Sequence, residues 1–443
     1  MRVLALVDGE HYPPVTRWGI RRAAERGLRV ELALFLGGTE KVLPGALPDL
    51  GVPVLPAGAD AAGALASALG QHAVEAVLDL SDEPVVGYRE RMELAAASLA
   101  AGIPYLGSDF RLDPPIHGPP LSIPTVAVIG TGKRTGKTAL GGEVARVAAR
   151  EGLNPVLVAM GRGGPPDPQV APAGTVDLDH LLELVRRGEH AASDYLEDAV
   201  TSGVTTIGAR RAGGGLAGAP FASNVREAAE MAVELGAGVA VLEGSGSAIP
   251  PIPWDAGVLV VPAFTPLEYV TGYLGPYRLL LSDLVVLTMA QSSRAGLENL
   301  HALRSHVQRS RGAPRFVVTE FEPVPLGDVG GMDVFFTTTA PEPVAARQVE
   351  VLEAGYGCRV VGWSARLADR AGLAQDMDEA EGYQVLLTEL KAAAVDIACE
   401  RALASGAGVV FVDNRAVAVE GESDLPTLLR ETIELARNRR AAR

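Results

Sequence analysis

Lysine is almost missing from this chain: of 39 basic side chains only four are lysines, at positions 41, 133, 137 and 391, and arginine supplies the rest. Cysteine is scarcer still. Cys358 and Cys399 are too few and too far apart for a disulfide framework or a zinc site. Aromatic residues make up 5% of the sequence, and no apolar run approaches the ~20 residues needed to cross a bilayer. The opening MRVLALVDGE begins as a signal peptide would, but its apolar run stops at Asp8 and no small-residue cleavage pattern follows, so it reads as a first buried strand. A cytoplasmic protein without membrane attachment is the expectation. Positive charge is also in deficit: the formal net charge of −15 disfavours nucleic acid, whose phosphates most of the surface would repel. A small polyanion can still be held, but only in a locally basic pocket.

What is present is ordinary folded material, 48% hydrophobic and 21% charged, in a chain of 443 residues that is too long for one hydrophobic core. Short apolar runs, VLALV, VELALFL and AVEAVLDL, alternate with segments of helical period such as TRWGIRRAAERG. They predict a parallel α/β domain over residues 1–120, closed by RLDPPIHGPPLSIPT, where five prolines between positions 114 and 124 forbid regular structure. A second α/β unit, 121–300, opens with TVAVIG, a glycine-rich loop, a helix from about Ala139 to Arg150 and the strand NPVLVAM. The third region, 301–443, reads as α/β or α+β. Its strand candidates are RFVVTEF, DVFFTTT, CRVVGW and GVVFVD, and YQVLLTELKAAAVDIACERALA reads as one long amphipathic helix.

The loop GTGKRTGKT, residues 130–138, resembles the phosphate-binding pattern G-x-x-x-x-G-K-[ST], except that the pattern wants a glycine where Thr131 stands. Strand, glycine loop, helix and strand is the context such a loop requires. Two of the four lysines fall inside these nine residues, and lysine is a compact point charge that enters between phosphates where the planar fork of arginine does not. In this reading Gly130, Thr131, Gly132, Lys133, Arg134, Thr135, Gly136, Lys137 and Thr138 line a nucleotide site, and the backbone N–H groups of residues 132 to 138 with the following helix N-terminus cradle the phosphates. Lys137 neutralises the β and γ oxygens and the Thr138 hydroxyl takes Mg²⁺. Glu243, at the end of the apolar run in GVAVLEGSGSAIPP, is the matching metal-orienting carboxylate. The plain alternative is a βα turn with exposed charges.

Two further stretches set basic groups among glycines: MGRGGPPDP around Arg162, and GARRAGGG, whose adjacent Arg210 and Arg211 are expected to flank an oxyanion. In the first domain the loops after two strands, DGEHYPPVTRW and SDEPVVGYRE, offer Asp8, Glu10, His11, Arg17, Asp82, Glu83, Tyr88 and Arg89 where open α/β sheets bind ligands. Each of these also suits a cap or turn. No Ser/His/Asp or Cys/His arrangement makes His11 part of a nucleophile system.

VDGEHYPPV, DLSDEP, GTGKRTGKTA, MGRGGP, ARRAGGGLAG and LEGSGSAIPP, in this order, resemble the cyclic 2,3-diphosphoglycerate synthetases, a family grouped with 2-phosphoglycerate kinase. The pair GTGKRTGKT and LEGSG is also similar to dethiobiotin synthetase, whose loop likewise begins one residue early. The resemblance implies a central P-loop NTPase-like domain, ATP and Mg²⁺ as cofactors, and a homodimer. It implies ATP-driven conversion of 2,3-diphosphoglycerate into its cyclic phosphoanhydride, with Lys133, Lys137, Arg210 and Arg211 catalytic. Some relatives carry an early loop lysine that acts across the dimer. Here Lys133 lies one place closer to Gly136, which favours a role in cis. A kinase that stops before ring closure, or a nucleotide-gated assembly ATPase, would use many of the same motifs.

Overall fold

A computed structural model describes all residues except 291–293, 310, 311 and 313. The first domain is built on β1 (Arg2–Val7), β2 (Arg29–Phe35), β3 (Val54–Pro56), β4 (Ala76–Asp79), β5 (Tyr105–Leu106) and β6 (Arg111–Leu112). They form a sheet in the order β3-β2-β1-β4-β5-β6, parallel except for the last pair. β1 and β4 are covered on both faces, which is why they read as unbroken apolar runs rather than alternating ones. Helices α1 (Pro13–Ala23), α2 (Ala61–Gln71) and α3 (Tyr88–Ala100) provide the cover. Proline starts α1, and the Asp60 carboxylate caps α2 by accepting from Gly63 N at 2.8 Å. The proline-rich segment 113–124 carries neither helix nor strand.

A second sheet begins with β7 (Thr125–Gly130), β8 (Pro155–Gly161), β9 (Gln169–Ala171), β10 (Thr205–Ala212), β11 (Ala222–Ser223), β12 (Val239–Glu243), β13 (Ala256–Pro262) and β14 (Leu284–Thr288). It continues with β15 (Arg315–Pro325), β16 (Asp333–Thr337), β17 (Arg359–Ser364), β18 (Val385–Glu389) and β19 (Gly408–Gly421). The order is β11-β10-β8-β12-β7-β13-β14-β15-β19-β18-β16-β17, with β9 beside β10. Strand β15 is parallel to β14 and antiparallel to β19, so one sheet runs from the glycine loop into the C-terminal region. Helices α4 (Lys137–Arg150), α5 (Leu178–Arg186), α6 (Asp194–Ser202) and α7 (Val225–Glu234) belong to the central part.

One expected element is overturned. The stretch 383–404 is not a single helix: it contains β18, a π-helical turn at Ala394–Cys399 and a short α-helix at Glu400–Ala404. All five residues of β18 are buried, and such a strand carries no period by which to tell it from a buried helix. The turn at Ala392, with φ 50°, then breaks the path. The last helix, Leu425–Ala441, returns to the sheet centre. There the buried Asp255 carboxylate accepts from Thr125 N at 3.0 Å and from Arg440 Nη2 at 2.7 Å. Cys358 and Cys399 are buried and unpaired. Among the described residues no helix is long and apolar enough to cross a membrane.

Candidate active site

The glycine loop joins the carboxyl end of β7 to α4, at the middle of the second sheet. Its irregular spacing has a steric reason. A Cβ at Gly130 would lie 2.8 Å from Thr135 Oγ1 and 3.1 Å from Lys137 Cδ, whereas one at Gly132 would meet nothing within 4 Å. The place that demands glycine is therefore position 130. Gly136 precedes α4 with φ 92°, and a Cβ there would approach Phe321 Cζ to 2.3 Å. Lys137 is 6% exposed and folds back over the loop, donating through Nζ to Gly132 O at 2.8 Å and to Thr135 Oγ1 at 3.3 Å. Thr288, closing β14, holds the loop from behind by donating to Thr135 O at 2.9 Å.

Glu243 ends β12, beside β7. Thr138 Oγ1 donates to its Oε1 at 2.9 Å, and Asp198 shares a hydrogen bond with the same carboxyl group. Burial pushes the Glu243 carboxyl up to about 7, Asp194 adds to the rise, and Asp198, Lys137 and Thr138 oppose it. Lys137 is pulled down to about 8 by burial, against the pull of Glu243 and Asp194. Two acids of α6 thus belong to the site, and the sequence reading missed both. Asp194 Oδ2 stands 3.2 Å from the Cβ position of Gly161. Asp198 is fully buried and shares a carboxyl–carboxyl hydrogen bond with Glu243, and burial together with Glu243 drives it well above the carboxylate range. Carboxyl oxygens beside a threonine hydroxyl are the donors a hard divalent cation takes, so Glu243 and Thr138, with Asp198 next to them, fit Mg²⁺.

The arginines divide. Adjacent residues of a strand point to opposite faces, and Arg210 and Arg211 both lie on β10. Arg210 donates through Nε and Nη2 to Gly164 O at 3.0 and 2.9 Å, whereas Arg211 Nη2 reaches Ser245 O at 2.8 Å. A Cβ on Gly246 would lie 2.8 Å from Arg162 Nη2 and 3.3 Å from Arg211 Nη2. Arg162 and Arg211 therefore meet at the turn behind Glu243, and Arg210 is apart from them. Arg278 completes the group unforeseen. It is buried and donates to Ser247 O at 2.6 Å, and among the described residues its Nε has no partner. Among the described residues no carboxylate pairs with Arg162, Arg211 or Arg278, which leaves their charge for an anion from outside. Arg211→Ala is expected to raise the KM of the anionic acceptor roughly tenfold, with the KM of the nucleotide nearly unchanged. Arg210→Ala should affect the acceptor less, and initial-rate kinetics with each substrate varied will show the order.

The residues singled out in the first domain gather separately. Asp8 is a buried staple: Oδ1 accepts from Glu10 N at 2.9 Å and His11 N at 3.2 Å and meets His11 Nδ1 at 3.0 Å, while Oδ2 accepts from Asp82 N at 2.7 Å. It fastens the loops after β1 and β4 together. Asp82 in turn accepts from Glu83 N at 2.9 Å. Arg17 pairs with Asp49 at 2.7 Å, Arg89 pairs with Glu93 at 3.2 Å, and Tyr88 is 86% exposed. Among the described residues no hydrogen bond or ion pair links this group to the glycine loop.

Three family models cover nearly the whole chain: the N-terminal domain of cyclic 2,3-diphosphoglycerate synthetase matches residues 2–113, its P-loop domain 125–319 and its C-terminal domain 325–415. The chain belongs to the cyclic 2,3-diphosphoglycerate synthetase family. Among curated members, one from Rubrobacter xylanophilus is 50% identical over 421 residues, 94% of this chain and 95% of that one. Another, from Methanothermobacter thermautotrophicus, is 39% identical over 434 residues, 95% and 93% of the two chains. Both are named cyclic 2,3-diphosphoglycerate synthetase. Among solved structures, LpxK from Aquifex aeolicus in complex with ATP aligns at a TM-score of 0.40 and 13% identity, over 71% of this chain and 90% of that one. The glycine loop lies inside the P-loop domain of the family, and the chain is accordingly a synthetase with an ATP-binding domain.

Proposed function

We propose that the protein uses ATP to close 2,3-diphosphoglycerate into cyclic 2,3-diphosphoglycerate, releasing ADP and phosphate. The observation that carries this reading is the meeting of two arginines without carboxylate partners, Arg162 and Arg211, at the turn behind the Thr138–Glu243 pair. Such a site suits transfer between two polyanions. The acceptor is a phosphate oxygen already ionised at neutral pH, so no general base is required. The demand is for cations that hold mutually repelling groups in line.

In the first step an oxygen of one substrate phosphate attacks the γ-phosphorus and ADP leaves. In the second an oxygen of the other substrate phosphate attacks the phosphorus just extended, expels inorganic phosphate and closes the P–O–P bridge. Lys137 and Lys133, the latter in cis, screen the transferring group, while Arg162 and Arg211 hold the acceptor. Arg210 supports them by fixing the Gly164 carbonyl. Thr138 and Glu243 would hold Mg²⁺, which supplies charge neutralisation at the nucleotide phosphates. The loops bearing Asp8, Glu10, His11, Arg17, Asp82, Glu83, Tyr88 and Arg89 contribute to substrate capture. The assembly that accompanies this reading is a cytoplasmic homodimer.

The test is ³¹P NMR of the purified protein with Mg-ATP and 2,3-diphosphoglycerate. New upfield phosphoanhydride signals beside ADP and phosphate are expected. Their absence, with 2-phosphoglycerate consumed in a parallel tube, would make the protein a kinase instead.

A further inference from the structure

Lysine is so rare here that the surroundings of each copy carry information, and three of the four serve one neighbourhood. Lys133 and Lys137 lie in the glycine loop, and Lys391 follows β18 in the C-terminal region. Its Nζ stands 3.1 Å from Glu197 Oε1, with the lysine side chain 34% exposed and the glutamate buried. Glu197 lies on α6 between Asp194, placed against the end of β8, and Asp198, buried beside Glu243. Four carboxyl groups thus crowd the phosphate loop. Lys137 is the cation among them from the loop side, and Lys391 enters from the other.

A second tie grips the far end of the same helix. Arg146 of α4 donates to Thr201 O at 2.9 Å and pairs with Asp413 of β19 at 3.0 Å. The carboxylates facing Lys391 are Glu197 of α6, Glu389 at the end of β18 and Asp413 of β19. Glu389 already accepts from Thr338, Thr339 and Asn414, and Asp413 is taken by Arg146 and Arg415, so Glu197 is the partner left to Lys391. Removal of this cation would break the tie between Glu197 and the C-terminal region, and α6 would be free to relax away from Glu243.

We propose that Lys391 is a positioning residue of the phosphoryl-transfer site, holding α6 through its ion pair with Glu197 so that Asp194 and Asp198 stay against the phosphate loop. The inference rests on the phosphoryl-transfer reading and gives the C-terminal region a part in it. It acts through α6, so it should change the rate of the bound complex more than the binding of either substrate.

The experiment compares ADP release by the full-length protein as wild type, Lys391→Met, Lys391→Arg, Glu197→Gln and the double variant Lys391→Met with Glu197→Gln. Lys391→Met is expected to lower kcat roughly ten- to a hundredfold with both KM values within about threefold, Lys391→Arg to recover part, and the double variant to be no worse than either single one. An unchanged kcat in Lys391→Met, or losses that multiply in the double variant, would overturn the proposal. Where Lys391→Met fails to fold, Glu197→Gln, which breaks the same ion pair and keeps the lysine for Glu389 and Asp413, decides: wild-type kcat there overturns the proposal, and a low kcat in the folded protein supports it. ADP release reads the positioning role whatever product forms, so failure of the ring-closure reading shows separately in the ³¹P spectrum of the wild type.

Discussion

Replacing Lys137 with alanine is expected to lower kcat/KM for ATP by at least roughly a thousandfold while the protein remains folded. The ammonium group is the cation buried within the loop. Among the described residues its hydrogen bonds go to Gly132 O and the Thr135 hydroxyl, partners that a nucleotide phosphate would displace. Holding a charge there costs the folded protein something, as the fall of its pKa to about 8 by burial shows. Removing it should therefore leave the thermal unfolding midpoint unchanged or slightly higher. ADP release at saturating acceptor, with a calorimetric scan of the same sample, measures both. Appreciable turnover in the folded variant would end the phosphate-loop assignment.

Gly136→Ala is expected to weaken Mg-ATP binding roughly a hundredfold through two separable costs. An L-residue at φ 92° pays for the left-handed conformation, on the order of 1–2 kcal/mol. The added methyl would also stand 2.3 Å from Phe321 Cζ, so the ring would have to turn aside from the helix start. Phe321→Leu in the same chain should return the steric share and leave the conformational one. Titration with a fluorescent nucleotide across the single and double variants separates the two. Wild-type affinity in Gly136→Ala alone would show that the loop remodels at no cost.

How far the site could be read in advance depended on whether its parts were local. The segment from Gly130 to Thr138 and the placement of Glu243 after an apolar run are local patterns. Each needs only one strand and one turn, and the structure sets Thr138 against Glu243 across 105 residues of sequence. The pairing of Arg210 with Arg211 is different, because adjacency in a loop means proximity whereas adjacency in a strand means opposite faces. β10 runs on to Ala212, farther than GARRAGGG suggests. Asp194 and Asp198 sit in SDYLED, which looks like any acidic first turn of a helix. Only packing reveals that this turn abuts the loop. Arg278 gave no signal at all, since its burial follows from a short helix against the Ser245–Ala248 turn. The parallel α/β pattern of the first domain was open to view in its apolar runs. β18 was mistaken because continuous burial erases the period that separates strand from helix.

The sheet that passes from β14 through β15 into β19 has a consequence for how this protein can be shortened or recombined. A chain ending near residue 325 would keep the nucleotide loop, yet it would bare β15 along the nine positions where it meets β19. Those unpaired amides and carbonyls form a template for any other extended segment, and intermolecular association would compete with folding. The polypeptide beyond residue 325 is therefore not an appendage that could be added or dropped at will. It is the partner that covers the edge of β15, and the two parts share one sheet.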